Sequence, residues 1–439
     1  MTDTPPIDLT VAPGGSLTGR LRIPGDKSVS HRVVMLGSIA EGVTEVSGFL
    51  EGEDALATLR AFRAMGVAVE GPAEGRLAIR GRGLHGLTPS AGPLDLGNSG
   101  TSMRLLAGLL AGQRFDSMLT GDASLSRRPM GRVIEPLTAM GARIDSTPAG
   151  TAPLRIRGGR TLQGIDYRLP VASAQVKSCL LLAGLYAEGR TCVHEPAPTR
   201  DHTERMLGGL GYAVERDGPA ACLQGGGRLT GRPIAVPGDI SSAAFFLVGA
   251  SIAPGSDLLL ERVGVNPTRT GVLEILLRMG ADIEVLDPRE SGGEPVADLR
   301  VRASRLQGVH IPAELVPLAI DEFPALFVAA ACARGETRLT GAAELRVKES
   351  DRIQVMADGL QALGIDARPQ EDGIVIRGGR FGSGRVDSHG DHRVAMALAV
   401  AALRAEGPIE IRDCANVRTS FPGFVEAARS VGLEVEESS

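Results

Sequence analysis

Lys27, Ser28 and Arg32 lie within the first two turns of a predicted helix, directly after a Pro24-Gly25 turn and the acid Asp26. A turn followed by an acid is typical of a capped helix start. Such a start offers unpaired backbone N–H groups and the positive end of the helix dipole. Cations and a hydroxyl added there make a site for a phosphate or carboxylate that needs no metal. Taken alone, the stretch is equally consistent with a capped helix that carries two solvated cations.

Basic side chains recur within the first turns of other predicted helices. Capping explains the small polar residues at these starts, but a cation there is unfavourable unless an anion offsets it. Besides Lys27 and Arg32, the cations are Arg104, Lys177 and Arg393. Their placement predicts helix starts from two domains that face one cleft and hold a small polyanionic ligand.

Paired arginines, Arg127 and Arg128, lie in a predicted loop at residues 122–130, before another helix. A guanidinium group has a planar fork of donors that fits phosphate or carboxylate. The loop therefore adds to the predicted anion site.

A second charged segment, residues 346–352, occupies the same place in a later repeat of the chain. Lys348 and Arg352 are four residues apart, which predicts a shared helix face with Glu349 beside them. A solvated ion-pair face is the default explanation of this segment. A helix cap would likewise account for Asp321 without any function.

The elements that must position these groups repeat along the chain. A small-residue helix, a glycine, a strand and a second helix ending near a glycine occur six times, with the two glycines 22 to 29 residues apart. The glycine pairs are Gly42/Gly66, Gly112/Gly141, Gly189/Gly211, Gly255/Gly280, Gly335/Gly364 and Gly407/Gly432. The period of about 70 residues is too long for the usual solenoids. Six modules, each with an amphipathic layer to bury, are instead predicted to close around shared cores.

The sequence motif that precedes and begins the first helix recurs near the middle of the chain. Residues 236–242 repeat the pattern of residues 23–28, with Pro237 following Pro24 by 213 residues. This echo predicts an internal duplication with three modules in each of two domains. Domain I is predicted to comprise residues 1–23 plus 238–439 and domain II residues 24–237, with hinges at the two Pro-Gly points and the active site in the cleft between the domains.

Composition excludes several classes of function. The 439 residues suit two domains, and a net charge of −5 with 13 aromatic residues and no Trp argues against a nucleic-acid binder. The longest apolar runs are too short to span a membrane, and residues 1–6 lack the features of a signal peptide. Five scattered cysteines without a CxxC pair predict reduced, buried thiols of a cytoplasmic protein rather than disulfides or zinc. They are Cys179, Cys192, Cys222, Cys332 and Cys414.

Several catalytic signatures are missing from the sequence. It contains no GxxxxGK[ST] phosphate loop, no GxGxxG that opens a helix after a strand, no HExxH metal set and no GxSxG elbow. Nucleotide, nicotinamide, zinc and serine-hydrolase chemistry are therefore unsupported, and no cofactor and no metal are predicted.

Six short motifs, in this order and spacing, together resemble the 5-enolpyruvylshikimate-3-phosphate (EPSP) synthase family of enolpyruvyl transferases over essentially the whole chain. They are Pro-Gly-Asp-Lys-Ser-x-Ser-His-Arg at 24–32, Gly-Asn-Ser-Gly-Thr at 97–101, Arg-Arg-Pro-Met at 127–130, Ser-Ala-Gln-Val-Lys-Ser at 173–178, Arg-Val-Lys-Glu-Ser-Asp-Arg at 346–352 and Asp-His-Arg at 391–393. Two forms, Ser-Ala-Gln-Val-Lys and Arg-Asp-His-Thr-Glu at 200–204, are similar to the family's divergent second class. The resemblance implies an α/β fold, a two-domain inside-out barrel of six βαβαββ units with helices inside and sheets outside.

The resemblance also implies a reaction, the transfer of the enolpyruvyl (carboxyvinyl) group of phosphoenolpyruvate to the 5-hydroxyl of shikimate 3-phosphate. Phosphate is released through a tetrahedral intermediate, in the shikimate pathway to aromatic amino acids. Both substrates carry a phosphate and a carboxylate, which are the anions that cations at helix starts require. The residues implied to bind shikimate 3-phosphate are Lys27, Ser28, Arg32, Ser173, Arg200, Asp321 and Lys348. Those implied to bind phosphoenolpyruvate are Lys27, Gly100, Arg128, Gln175, Arg352 and Arg393.

The catalytic residues implied by the resemblance are Asp321, Glu349 and Lys27. Asp321 would take the proton from the 5-hydroxyl, and Glu349 would deliver one to the methylene carbon. Domain closure would exclude water. The family further implies a cytoplasmic monomer, and Gly100, where insensitive members have alanine, implies sensitivity to glyphosate. Other members place a lysine just before a C-terminal Phe-Pro. Here Arg418 precedes Thr419-Ser420-Phe421, which leaves the role of that lysine open.

Two alternatives differ in kind. The related UDP-N-acetylglucosamine enolpyruvyl transferases usually carry a reactive cysteine in the loop corresponding to 120–130 and Lys-Asn in place of Lys27-Ser28. This chain has neither feature. A non-catalytic repeat scaffold would not need cations at helix N-termini.

Overall fold

The computed structural model describes residues 7–438, so the predicted absence of a signal peptide at residues 1–6 lies outside the described part of the chain. Within it the chain forms two compact units, with boundaries between Pro24 and Gly25 and between Pro237 and Gly238. The first unit comprises residues 25–237 with 290–294. The second comprises residues 7–24, 238–289 and 295–438.

The first unit contains the helices α1 to α6 and the strands β3 to β14. The helices are α1 Lys27–Ile39, α2 Glu53–Ala64, α3 Gly100–Ala111, α4 Gly131–Ala139, α5 Ala174–Gly184 and α6 His202–Gly209. The strands are β3 Val43–Ser47, β4 Ala68–Ala73, β5 Arg76–Arg80, β6 Leu94–Asp95, β7 Ser117–Thr120, β8 Arg143–Asp145, β9 Leu154–Arg157, β10 Asp166–Arg168, β11 Arg190–His194, β12 Glu215–Asp217, β13 Ala220–Gln224 and β14 Ile234–Ala235.

The second unit contains the helices α7 to α12 and the remaining strands. The helices are α7 Ile240–Ile252, α8 Gly271–Arg278, α9 Phe323–Cys332, α10 Arg352–Ala362, α11 His392–Ala401 and α12 Phe424–Val431. The strands are β1 Asp8–Val11, β2 Thr18–Arg22, β15 Asp257–Gly264, β16 Asp282–Ser291, β17 Glu294–Arg302, β18 Glu336–Leu339, β19 Asp366–Gln370, β20 Gly373–Arg377, β21 Gly384–Asp387, β22 Ile409–Arg412 and β23 Val435–Ser438. The tip of the β16–β17 hairpin, residues 290–294, groups with the first unit.

The strands form six sheets, three in each unit, with one recurring topology. In the first unit the orders are β14-β3-β5-β4, β6-β7-β9-β8 and β10-β11-β13-β12. In the second they are β2-β15-β17-β16, β18-β20-β19 and β21-β22-β1-β23. In the four-stranded sheets a short edge strand runs parallel to the strand that follows the first helix of the module. In the three-stranded sheet, two parallel bridges occupy this edge. The six predicted βαβαββ modules and the α/β class are confirmed.

The first helix of each module forms the core of its unit. All thirteen residues of α7 are buried, and α1, α3, α5, α9 and α11 are buried along almost their whole length. A helix that is apolar on all sides must be enclosed by other elements, so in each unit these helices lie inside and the sheets outside. No helix between residues 7 and 438 is long and apolar enough to cross a membrane.

The second glycine of each repeat ends the second helix of its module. Gly66, Gly141, Gly211, Gly280, Gly364 and Gly432 all have φ between 84° and 109°. A left-handed residue directly after a helix allows its last carbonyls to be bonded, and glycine reaches this conformation without a Cβ clash. The repeated glycine signal therefore marks helix ends.

The expectation of reduced thiols is wrong for one pair of cysteines. A disulfide joins Cys192 to Cys222, which the antiparallel register of β11 and β13 places directly opposite one another, with Cα atoms 4.1 Å apart. The two are 30 residues apart in the chain, so their spacing carries no sign of the pairing. The thiols of Cys179, Cys332 and Cys414 are free. Burial raises the pKa of each to about 12, which keeps them protonated and unreactive.

Candidate active site

The starts of α1, α3 and α5 converge in the first unit. Arg32 Nη2 donates to Ser178 Oγ at 2.9 Å and so joins α1 to α5, while Arg104 Nη1 donates to Gln175 Oε1 at 2.9 Å and joins α3 to α5. Each start carries the side-chain cap that the sequence predicts, and the caps are Asp26, Ser99 and Ser173. Three positive helix ends and several predicted site residues are thus brought together.

Lys27 is the first residue of α1, and its ammonium is fixed by a partner from α2. Its Nζ atom lies 3.3 Å from Asp54 Oδ2, and both side chains are largely buried. Ser28 follows it, half-buried, and its carbonyl oxygen accepts a hydrogen bond from Arg32 Nη1 at 2.8 Å. Asp54 is absent from the sequence-based set of site residues, because nothing but its position near a helix start marks it.

Arg32 lies beneath the surface of the first unit. Besides Ser178 and the Ser28 carbonyl, it donates from Nε to Thr203 Oγ1 of α6 at 2.7 Å. Burial lowers the pKa of Arg32 to about 10; the carboxylates of Glu204 and Asp26 oppose the decrease, and the Arg200 charge adds to it. Arg32 is therefore still a cation at neutral pH, and the charge of Arg200 lies close enough to act on it.

Two guanidinium groups converge over Gly100, the first residue of α3. A Cβ atom at this position would lie 2.9 Å from Arg104 Nη1 and 3.1 Å from Arg128 Nη1. Arg128 is held by Asn98, whose Oδ1 accepts from its Nη2 at 2.5 Å. Gln175, bonded to Arg104, also donates to α3 through Thr101. The structure thus gathers Gly100, Arg128 and Gln175 as one donor cluster.

Ser173 and Arg200 precede helices of the third module. The Ser173 hydroxyl accepts from the Val176 amide at 3.4 Å, and both Ser173 and Arg200 are half-buried. Each therefore keeps part of its surface accessible to a ligand beside a helix N-terminus.

The prediction that every cation at a helix start binds an external anion is wrong for Lys177. Its side chain is fully buried, and its Nζ atom lies 2.8 Å from Glu195 Oε2 and 2.9 Å from Glu204 Oε1. The two carboxylates neutralise it from within the protein. Sequence position alone does not distinguish this internal neutralisation from a ligand site.

Arg352 is the centre of the charged cluster in the second unit. Its side chain is 1% exposed and contacts three carboxylates, Asp391 Oδ2 at 2.8 Å, Glu349 Oε2 at 2.6 Å and Asp321 Oδ1 at 3.4 Å. Lys348 Nζ lies 3.7 Å from the same oxygen of Asp321. The structure therefore brings Asp321, Lys348, Glu349 and Arg352 together, as the family resemblance implies, and adds Asp391, the cap of α11.

The opposite charges of this cluster stabilise one another in their ionised forms. Burial by itself would lower the pKa of Arg352, but Asp391, Glu349 and Asp321 raise it well above its usual value. Burial likewise raises the pKa of Asp391, and the Arg352 charge more than offsets this, so that the net shift is downward. Both groups are therefore ionised at neutral pH.

The predicted helix face shared by Lys348 and Arg352 is wrong. Helix α10 begins at Arg352, whereas Lys348 follows the 3₁₀ turn Ala343–Val347 and is not helical. Asp351 caps α10 by accepting from the Gln354 amide at 3.0 Å. The cap interrupts the helix between the two cations, yet Arg352 still reaches back to Glu349.

Two arginines nearer the C-terminus, Arg393 and Arg418, differ in their surroundings. Arg393 is buried in the first turn of α11, its amide donates to Asp391 Oδ1 at 2.9 Å, and its side chain takes part in none of the ion pairs found among residues 7–438. Arg418 is exposed and donates to Glu437 at 3.1 Å. The structure therefore does not bring Arg418 to the Arg352 cluster.

The arrangement of modules is shared with enolpyruvyl transferases. The chain superimposes on the enolpyruvyl transferase NikO from Streptomyces tendae with a TM-score of 0.78, covering 99% of both chains, at 18% identity, which shows a common fold. A structure of EPSP synthase from Acinetobacter baumannii matches with a TM-score of 0.90 and 59% identity, covering 99% of this chain and all of the other.

The chain belongs to the family EPSP synthase (3-phosphoshikimate 1-carboxyvinyltransferase), whose model matches residues 11–427. A relative named 3-phosphoshikimate 1-carboxyvinyltransferase from Methylococcus capsulatus is 73% identical, with 98% of each chain covered. One of the same name from Alkalilimnicola ehrlichii is 71% identical, with 97% and 96% covered. These matches confirm the predicted enzyme class and enolpyruvyl transfer from phosphoenolpyruvate to shikimate 3-phosphate, and they do not favour the UDP-N-acetylglucosamine alternative.

Proposed function

We propose that the clusters of both units act on one pair of substrates, phosphoenolpyruvate and shikimate 3-phosphate. The observation that carries the proposal is the placement of two carboxyl groups, Asp321 and Glu349, on one buried arginine beside Lys348. Addition of a hydroxyl group to an enol phosphate requires one group that takes a proton and another that delivers one. A cluster of opposite charges keeps such groups in fixed positions.

The first unit supplies the donors for phosphate. Lys27 and Ser28 hold shikimate 3-phosphate, with Ser173 and Arg200 on its phosphate group and Arg32 as the buried cation beneath them. Lys27, Arg128 and Gln175 hold the phosphate of phosphoenolpyruvate, for which the absence of a side chain at Gly100 leaves room. The convergence of three helix N-termini supports these roles, since each contributes backbone donors and a positive partial charge.

The second unit supplies the proton transfers. Asp321 takes the proton of the 5-hydroxyl, whose oxygen then bonds to the carbon of phosphoenolpyruvate that carries the phosphate. Glu349 delivers a proton to the methylene carbon, which gives the tetrahedral ketal. Phosphate then leaves as a proton of the new methyl group returns to the Glu349 carboxylate, and the C=C bond forms again to complete the transfer. Arg352 and Arg393 bind the carboxylate of phosphoenolpyruvate. Because this carboxylate competes with Glu349 for the Arg352 guanidinium, substrate binding favours the protonated acid that the step needs.

The decisive experiment is a phosphate-release assay with phosphoenolpyruvate and one of two acceptors. We expect release with shikimate 3-phosphate and none with UDP-N-acetylglucosamine. Activity with the UDP-sugar alone would overturn the proposal. The two units are the two domains in this proposal, and the chain acts as a cytoplasmic monomer, which sedimentation of the purified protein tests.

Gly100→Ala is expected to raise KM for phosphoenolpyruvate about tenfold and to weaken inhibition by glyphosate, to which the unaltered protein is sensitive. The added methyl group would displace Arg104 and Arg128, which lie within 3.1 Å of its position, and loss of one charge-assisted hydrogen bond costs about 1.5 kcal/mol. Initial rates at varied phosphoenolpyruvate and glyphosate measure both effects. Gly92→Ala, at an exposed position where an added Cβ meets no atom within 4 Å, is the matched control. Full activity of the unaltered protein at millimolar glyphosate contradicts the expectation.

A further inference from the structure

The second copy of the helix-start motif, residues 236–242 at the start of α7, contains no basic residue. Where the first copy has Lys27, it has Ile240. The structure places Arg269, from the loop before α8, at this helix start. Its side chain is 3% exposed, and its Nη2 atom donates to Asp239 Oδ1 at 3.2 Å and to Ser241 Oγ at 2.6 Å. The second unit thus replaces a ligand-binding cation by an internal one.

A second buried carboxylate completes this group. Glu322 is 1% exposed, and its Oε1 atom lies 3.7 Å from Arg269 Nη2 and accepts a hydrogen bond from the Ser241 hydroxyl. Glu322 occupies the cap position of α9, yet its side chain makes no capping hydrogen bond. Its carboxylate is directed instead to Arg269, which ties the start of α9 to the start of α7.

We infer that Arg269 and Glu322 are positioning residues for Asp321, which precedes Glu322 in the chain. Their opposite charges together determine how readily the Asp321 carboxyl group ionises. The inference rests on the proposed role of Asp321 as the group that takes the proton. Burying an arginine with two carboxylates is costly, and an apolar contact would join two helices at least as well. A charged group at this point is therefore better explained by an effect on the neighbouring carboxylate.

The charged neighbours of Asp321 are of two kinds. Lys348 and Arg352 contact its carboxylate, and Arg352 also contacts Glu349 and Asp391. Glu322 is the next residue of the chain, and it brings with it Arg269, which also pairs with Asp239. Removal of the Glu322 charge eases ionisation of Asp321, because one like charge is lost. Removal of the Arg269 charge opposes it, because two carboxylates are left without their cation.

The test is the pH profile of kcat/KM for phosphate release from phosphoenolpyruvate and shikimate 3-phosphate. Glu322→Gln is expected to move the acid limb to lower pH, and Arg269→Gln to move it to higher pH, each by about 0.5 to 1 pH unit. The double variant returns the limb close to its original position. In each single variant kcat falls about tenfold with KM almost unchanged, since the substrate-binding groups are untouched.

Matched controls come from an ion pair of the same residue types on the surface of α8. Arg278 Nη2 lies 2.6 Å from Glu274 Oε1, and both side chains are about half exposed. Glu274→Gln and Arg278→Gln are expected to leave the profile and kcat unchanged. A purely structural role of the buried group would lower thermal stability and kcat without opposite displacements of the acid limb.

The outcomes distinguish a failure of this inference from a failure of the proposed catalytic role of Asp321. If Asp321→Asn keeps its turnover, the proposed role of Asp321 fails. If Asp321→Asn loses turnover while Glu322→Gln and Arg269→Gln shift the limb in the same direction or not at all, only the inference is overturned. Should Arg269→Gln not fold, the direction found for the isosteric Glu322→Gln decides the question alone.

Discussion

Glu349→Gln is expected to lower kcat about 10²- to 10⁴-fold and to leave KM for both substrates within about threefold, the signature of a lost general acid. Glutamine keeps the shape of the side chain and an oxygen that accepts from Arg352, which contacts Glu349 at 2.6 Å. It has no acidic proton to deliver to the methylene carbon. Steady-state phosphate release at saturating and limiting substrate measures the two parameters.

The matched control for this substitution is Glu336→Gln. Glu336 also accepts from two arginines, Arg338 at 3.1 Å and Arg368 at 3.3 Å, but it lies on the surface of the second unit. Its kinetics should match those of the unaltered protein. Wild-type turnover in Glu349→Gln would remove Glu349 from the mechanism.

Arg352→Met is expected to abolish turnover and to lower the free energy of unfolding by about 3 to 5 kcal/mol, since removal of one partner leaves a buried charge uncompensated. Arg352 is 1% exposed, and Asp391, its nearest fully buried partner, has no exposed surface. Chemical denaturation measures the loss. Arg368→Met removes an exposed arginine that also contacts two carboxylates, and it should change stability by less than about 1 kcal/mol.

The loss in Arg352→Met should depend on pH. In the unaltered protein the pKa of Asp391 lies below its usual value because Arg352 outweighs burial, so its contribution is present at neutral pH and is lost as the pH falls through the lowered pKa. Without Arg352, burial and the Glu349 charge outweigh the charge of His392 and raise the pKa of Asp391 above the value of the unfolded chain. The variant then loses stability as the pH rises from about 4. The difference between the two proteins is therefore largest at neutral pH, and a difference that grows toward pH 4 would contradict this account.

The local features of the fold are readable from the sequence because they depend on near neighbours. Asp26 accepts from the Val29 amide at 2.8 Å, three residues away, and each glycine that ends a second helix acts within one turn. Pro324 lies in the first turn of α9, where its missing N–H costs nothing. Repetition of such signals six times was sufficient to predict the modules.

Charge partners across the fold could not be predicted in this way. The two acids that neutralise Lys177 lie 18 and 27 residues along the chain, and Asp391 lies 39 residues from Arg352. The pairing of Cys192 with Cys222 depends on strand register, and Arg269 reaches the start of α7 from the loop before α8, 30 residues along the chain from Asp239. No local pattern distinguishes these partners from other polar residues.

The sequence by itself determined the six modules, the capped helix starts and the cations placed on them, because hydrogen bonding and periodicity act over a few residues. Only the tertiary structure decided which of these cations are neutralised internally, as Lys177 is, and which carboxylates gather on Arg352. Ion pairing depends on distance and burial in three dimensions, and residues far apart in the chain acquire both only when the helices pack together.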